Sequence, residues 1–196
     1  MEQREEESVK GQKVVLVPAE LNDRRRVYEW CFQSETTKSH TGPPDYPEKS
    51  IASYEEFCAE YYEEYFFTGA KPEDGRGYLI VYEDTAVGFI SYSSFHVKAG
   101  IAELDIWMDS EANCGMGFGT DAILILSEFL NRANGISELI IAPAMQNKRA
   151  VRSYEKAGFT HSAKAMVDFL ETNYVALYGS GDYGLEETAL MAKSFH

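Results

Sequence analysis

Apolar and polar positions change their period part-way along the chain. Lys13–Pro18 (KVVLVP) is a short β-branched run and reads as a first strand. From Arg24 to about Phe32, Val27, Trp30 and Cys31 fall on one helical face, with Asp23 placed to cap it. Ser34–Glu48 carries Gly42, Pro43, Pro44 and Pro47 and reads as loop. Tyr54, Phe57, Cys58, Tyr61, Tyr62 and Tyr65 recur at three and four, which predicts a helix over Ile51–Phe67 ended by Gly69. Lys71–Gly77 is a loop.

Beyond it the period shortens. Tyr78–Tyr82 and Ala86–Phe95 read as a hairpin, and Gly100 opens a strand over Ile101–Met108. Ile123, Leu126, Leu130 and Ala133 define a helix over Thr120–Ala133, stopped by Asn134–Gly135. Glu138–Ala142 is a buried strand, and Lys148–Ala157 a helix capped by Asn147 and stopped by Gly158. Strand resumes at Phe159, and Glu187–Lys193 forms the last one; Asp168–Gly184 fits neither period.

With 196 residues the chain fits one domain and is short for two. We expect an acidic, flexible tail over residues 1–12 and a single domain over 13–196. Apolar residues at 44% and charged residues at 26% exclude a disordered chain. The net charge of −14 argues against a nucleic-acid partner, since phosphate binding draws on Lys and Arg. No apolar run approaches the ~20 residues that cross a bilayer, so no membrane partner is expected. Met1–Lys10 has no apolar stretch of the secretory kind. Cys31, Cys58 and Cys114 are scattered and form neither a disulfide framework nor a zinc spacing. His40, His96, His161 and His196 make no metal spacing and no evident triad, so no metal is expected. A soluble, cytoplasmic protein follows, as monomer or homodimer.

The most informative stretch is Cys114–Thr120, CGMGFGT, with glycines at alternate positions between a strand and a helix. Glycine lets the backbone turn sharply and approach a ligand, and a helix start offers free N–H groups and the positive end of its dipole. Together these make a phosphate cradle, although a plain strand-to-helix turn has the same pattern. The dinucleotide fingerprint needs G-x-G-x-x-G and a later acid, and the ATP loop needs Gly-Lys-Ser/Thr; neither occurs here.

GMGFGT, followed about thirty residues on by Gln146–Phe159 (QNKRAVRSYEKAGF), resembles the acetyl-CoA-binding signature of the GNAT N-acetyltransferases. That loop reads Gln/Arg-x-x-Gly-x-Gly/Ala; Gly117 and Gly119 match, and Cys114 stands where Gln or Arg is usual. Within the family the chain is most similar to aminoglycoside 6'-N-acetyltransferases. Asp105 lies ten residues before Gly115, and Arg152–Phe159 matches their Arg-x-Tyr-Glu-Lys-Ala-Gly-Phe run. The likeness is specific over Gly88–Phe159. It implies a mixed α/β (α+β) fold, with a mostly antiparallel central sheet flanked by helices. It implies acetyl-CoA as co-substrate on Gly115, Met116, Gly117, Phe118, Gly119 and Thr120. It also implies that Ile106, Trp107 and Met108 pair with the pantetheine arm, where the strand splays from its neighbour, and that Asn147 and Tyr154 line the thiol.

Acetyl transfer to an amine needs a base, because an alkyl amine of pKa ~10 is mostly protonated at pH 7. Asp105 is the candidate, directly or through water. Glu103 points to the same strand face roughly 7 Å away, and the two would attract a cation, unless the face is merely solvated. A tyrosine can donate to a departing thiolate, so Tyr154 is the candidate acid; Ala150, Tyr154 and Ala157 also share a face that would suit a core. Asn147 needs no role beyond capping. The tyrosines of the second helix would roof the acceptor site or simply pack. The leading expectation is an N-acetyltransferase acting on a cationic small-molecule amine, with an aminoglycoside and antibiotic resistance as one candidate. A polyamine or protein N-terminal acetyltransferase, and a non-catalytic CoA-binding module, are the alternatives.

Overall fold

A computed structural model describes residues 8–41 and 51–195. Among these, eight strands form one mostly antiparallel sheet. Its first strands are β1 (Val9–Lys10) and β2 (Val15–Pro18), an antiparallel pair. The sequence pattern places Val9 and Lys10 in a flexible tail; in the structure they close a hairpin that Gly11 turns by donating its N–H to Val14 O at 2.9 Å. Residues 1–7 of that tail lie outside the description.

Helix α1 (Arg24–Phe32) is where the pattern places it, but Asp23 does not cap it. Its carboxylate accepts the N–H of Glu20 at 2.9 Å and pairs with Arg26. The loop expected from Ser34 contains a short helix α2 (Thr37–Thr41), and its glycine and prolines fall outside the described residues. The single helix expected over Ile51–Phe67 is broken into α3 (Tyr54–Glu56), a wide π-type turn over Phe57–Tyr61, and α4 (Tyr65–Thr68). The cause is Arg24. Its guanidinium takes the carbonyls of Cys58 at 2.6 Å and Tyr62 at 3.0 Å, and Tyr62 leaves helical geometry (φ −128°, ψ 77°). Gly69 ends α4 in the left-handed region, as expected.

Strands β3 (Gly75–Tyr82) and β4 (Thr85–Ser93) form the hairpin, longer than expected, with Glu83 and Asp84 at positive φ making a two-residue turn. Strand β5 (Ile101–Met108) coincides with its expectation and pairs antiparallel with β4 along its length. Helix α5 (Phe118–Asn134) starts two residues before the expected Thr120. Strand β6 (Glu138–Ile141) runs parallel to β5, and α6 (Lys148–Lys156) follows. The strand expected from Phe159 shrinks to β7 (Thr160–His161). The unplaced segment holds short turns and α7 (Val175–Tyr178), and β8 (Met191–Ser194) inserts between β6 and β7.

Alternation along β5 divides the interior. Ala102, Leu104 and Met108 join the core under α5, with Ile123, Leu126 and Leu130. Trp107 points the other way, into a second, aromatic core with Phe57, Tyr62, Phe66 and Phe89. Met166, Phe169 and Leu170 dock the previously unplaced segment against Val97 and Ile140.

Candidate active site

The site begins where β5 parts from β6. Their parallel pairing covers Ile101, Ala102 and Glu103 and goes no further. Among the described residues the β5 backbone beyond Glu103 keeps β4 on one edge and has no strand on the other; Met108 O takes the Thr36 hydroxyl at 2.9 Å, and the stretch before it faces the cavity, where an extended ligand could pair with it. Ile106, Trp107 and Met108, assigned to the pantetheine arm, lie in this stretch and line a cavity of ≈ 550 Å³.

The same cavity reaches the glycine loop. Gly115 and Gly117 hold positive φ (76° and 86°), and Gly117 stands directly before α5. Its carbonyl accepts the N–H of Asp121 at 3.0 Å, so the N–H groups of Phe118, Gly119 and Thr120 form the first turn and have no partner within the helix. A Cβ on Gly117 would come within 2.9 Å of Lys13 Nζ, which donates to Met116 O at 2.9 Å. The cradle fits a phosphate group: it has unspent N–H donors, no side chain in the way, and a lysine beside it. Gly115, Gly117, Gly119 and Thr120 line the cavity. Met116 is exposed instead, and Phe118 is buried in the core and stacks on Tyr82, so neither of these two side chains joins the cavity wall.

Thr120 Oγ1 meets Ser153 Oγ at 2.7 Å and ties the loop to α6. Asn147 caps that helix, accepting the N–H of Ala150 at 3.1 Å, while its Nδ2 donates to Ser39 O at 2.8 Å. Both ends of this amide therefore serve the fold. Tyr154 is buried against the cavity, and burial, reinforced by the Asp105 charge, holds its phenol above the ordinary value.

Asp105 is exposed to the open cavity, and the protein packs densely around that space. This enclosure pushes its carboxyl from 3.8 up to about 6, aided by the charge of Glu103 and opposed by hydrogen bonds from Tyr62 and the Ile106 N–H. Tyr62 Oη donates to Asp105 Oδ2 at 2.9 Å. Glu103 lines the same cavity, and its Oε2 lies 2.7 Å from His96 Nε2. His96, which the sequence left without a partner, is thus half of a carboxylate–imidazole pair roofed by Tyr174 and Tyr178. His40 stacks on Trp107, and burial lowers it to about 4, so it is neutral at pH 7.

Tyr61, from the stripe expected to roof the acceptor site or to pack, lines the cavity with Glu60, while Tyr178, Asp182 and Tyr183 of the same lining were missed in the sequence. Tyr183 donates to the carbonyl of His40 and closes one side. Only the acid and tyrosine content of these stretches signalled them, because their register depends on the break at Tyr62 and on the docking of Met166–Leu170.

The acetyltransferase (GNAT) domain pattern matches residues 13–160, which includes β5, the glycine loop and α6. The chain belongs to the GNAT acetyltransferase family. It is accordingly an N-acetyltransferase that uses acetyl-CoA. The fold is also similar to that of AAC(6')-Ib solved with paromomycin and acetyl-CoA, with a TM-score of 0.66 at 18% identity over 93% of this chain and 94% of that one. It is similar to RimL, a ribosomal alpha-N-protein acetyltransferase solved with coenzyme A, with a TM-score of 0.68 at 17% identity over 96% and 98%. A GNAT-family acetyltransferase from Bacillus anthracis superposes with a TM-score of 0.63 at 14% identity over 95% and 98%. No curated protein matches the chain by sequence. Among the described residues no cluster of His, Cys, Asp or Glu could hold a metal, and no helix is long and apolar enough to cross a membrane.

Proposed function

We propose that this GNAT enzyme acetylates a primary amine of a cationic small molecule, with aminoglycosides as the first class to try. The observation that carries the reading is the lining of the acceptor end of the cavity. Glu60, Glu103, Asp105 and Asp182 bring four carboxylates there, interleaved with Tyr61 and Tyr178. Such a wall favours a polycation through charge and ring faces alike.

The proposed roles divide among the residues as follows. Gly115–Thr120 hold the pyrophosphate on backbone N–H groups, and the free edge of β5 at Ile106–Met108 pairs with the pantetheine arm. Bound there, acetyl-CoA supplies an activated acetyl thioester. Asp105 takes a proton from the ammonium and leaves the amine nitrogen with a free lone pair. A backbone N–H at the open edge steadies the negative charge that develops on the acetyl oxygen. Tyr154 holds a proton at Oη for the thiol sulfur. Glu103, fixed by His96, binds a positive charge next to the reacting one.

AAC(6')-Ib has been solved with paromomycin and with kanamycin, and RimL acts on a ribosomal protein N-terminus. Fold likeness does not choose between these acceptors; the four carboxylates favour the first. The test is turnover of acetyl-CoA with kanamycin, tobramycin, spermidine and an N-terminal peptide. The expected order puts the aminoglycosides first. A preference for the peptide overturns the small-molecule reading and leaves the acetyltransferase.

A further inference from the structure

Asp105 is held from behind. Tyr62 Oη lies 2.9 Å from Asp105 Oδ2 and 2.9 Å from Ser91 Oγ. A phenol has one proton to give. With that proton on Asp105, Ser91 must donate to Tyr62, so the chain of bonds runs one way, from Ser91 through Tyr62 to the carboxylate. Ser91 stands opposite Asp105 in the β4–β5 register, so the sheet fixes both ends. Tyr62 cannot swing away. Its ring is wedged among Phe57, Phe66, Phe89 and Trp107, with centroids 4.9 to 5.5 Å apart. Even the helix break serves this placement, since Arg24 holds the Tyr62 carbonyl while the side chain reaches β5.

Resting on the reading of Asp105 as the base, we propose that Tyr62, backed by Ser91, is a positioning residue that locks the Asp105 carboxylate, occupies Oδ2 and leaves Oδ1 to take the proton of the amine. In that step one N–H bond of the ammonium breaks and an O–H bond forms at Oδ1, while Tyr62 keeps its own proton. A hydrogen bond given to the ionised carboxylate favours that form. Tyr62 therefore offsets part of the enclosure of Asp105 and keeps the base ionised at neutral pH. Tyr62 and Ser91 are buried in the cavity wall beside the acid, and their hydroxyls are spent on the chain of bonds from Ser91 through Tyr62 to Asp105, so they act through it.

The experiment compares wild type with Tyr62→Phe, which keeps the ring, and Ser91→Ala, which keeps the volume in case the first variant does not fold. Carbon NMR follows the Asp105 carboxyl through its titration, without any turnover. In parallel, the acidic limb of kcat/KM is recorded with an aminoglycoside, together with the Kd of acetyl-CoA. The Asp105 midpoint is expected to rise by about one pH unit in Tyr62→Phe, the scale of one lost hydrogen bond to a charge, and by less in Ser91→Ala. The kinetic limb should move with it and the acetyl-CoA Kd should stay. A midpoint that stays put or falls in folded variants overturns the positioning role. A midpoint that rises while the kinetic limb does not follow overturns Asp105 as the base instead.

Discussion

The Asp121 carboxylate accepts the backbone N–H of Lys13 at 2.7 Å, across 108 positions of the sequence. It also takes the N–H of Gln12 at 3.2 Å and of Val14 at 3.0 Å. Asp121 sits in the first turn of α5, where a negative charge is favoured by the helix dipole. The bend into β2 is thereby fastened to the helix that carries the glycine loop, and Lys13 completes the tie through the Met116 carbonyl. Asp121→Ala strands these donors. Because the carboxylate is buried, we expect a stability loss of about 3 kcal/mol in urea unfolding, with weaker acetyl-CoA binding in the folded fraction. A loss under about 1 kcal/mol would mean that water replaces the carboxylate at little cost.

Gly117 tests the cradle. Its φ of 86° lies where a β-branched residue is strained, and a Cβ there meets Lys13 Nζ at 2.9 Å. Gly117→Val is expected to cost about 1–3 kcal/mol in stability. It should weaken acetyl-CoA binding by more than Gly115→Ala, since both positions hold positive φ but a Cβ on Gly115 meets nothing within 4 Å. Isothermal titration of both variants with CoA checks this order, and equal affinities would count against the loop as the pyrophosphate site.

The elements flanking the glycine loop were the most legible in the sequence. β5 and α6 each lie within one or two residues of their expected bounds, because local signals set them: an apolar run opened by Gly100 in one, an Asn cap and a glycine stop in the other. Asp105 and Glu103 share a face for the same reason. The acceptor wall was not legible. The tyrosine stripe over Tyr54–Tyr65 has perfect helical spacing, yet a guanidinium from a distant helix captures two of its carbonyls and redirects Tyr62. Tyr178 and Asp182 reach the cavity because Phe169 and Leu170 anchor their segment on β6 and Val97, a contact without local trace. His96 finds Glu103 only once the turn between β4 and β5 is folded.

Tyr154 separates chemistry from packing. Burial and the nearby Asp105 charge both hold its phenol above the ordinary value, so it stays protonated across the working range and contributes no alkaline limb near pH 10. Tyr154→Phe keeps the ring that packs in the core. If the hydroxyl serves the sulfur, kcat should fall roughly 10²–10⁴-fold while acetyl-CoA affinity changes little. Stopped-flow turnover with measured CoA binding decides; full activity in the variant would leave Tyr154 a core residue.

Asp105→Asn should trade activity for stability, and the pH dependence of each gives the sign. In the folded protein the carboxyl titrates at about 6, above its ordinary 3.8. Between those values the folded chain binds a proton that the unfolded chain does not, so the stability contribution of Asp105 is full below about pH 4. It declines as pH rises through about 6 and stays low above, because the ionised form is the one the enclosure disfavours. Asparagine has no such titration. Calorimetry should therefore find the variant with a higher Tm than wild type at neutral pH, the gap closing as both are taken below pH 4. Activity should move the opposite way. Wild-type kcat/KM toward a cationic amine should rise through about pH 6 as the base ionises. Asp105→Asn should lose roughly a hundredfold or more, with acetyl-CoA affinity intact. A loss of tenfold or less would instead fit attraction of a cation at the rim, the scale of an exposed ion pair of ~0–1 kcal/mol. A variant that is both stabilised and fully active would leave Asp105 a charged wall residue and pass the search for the base to the Glu103–His96 pair beside it.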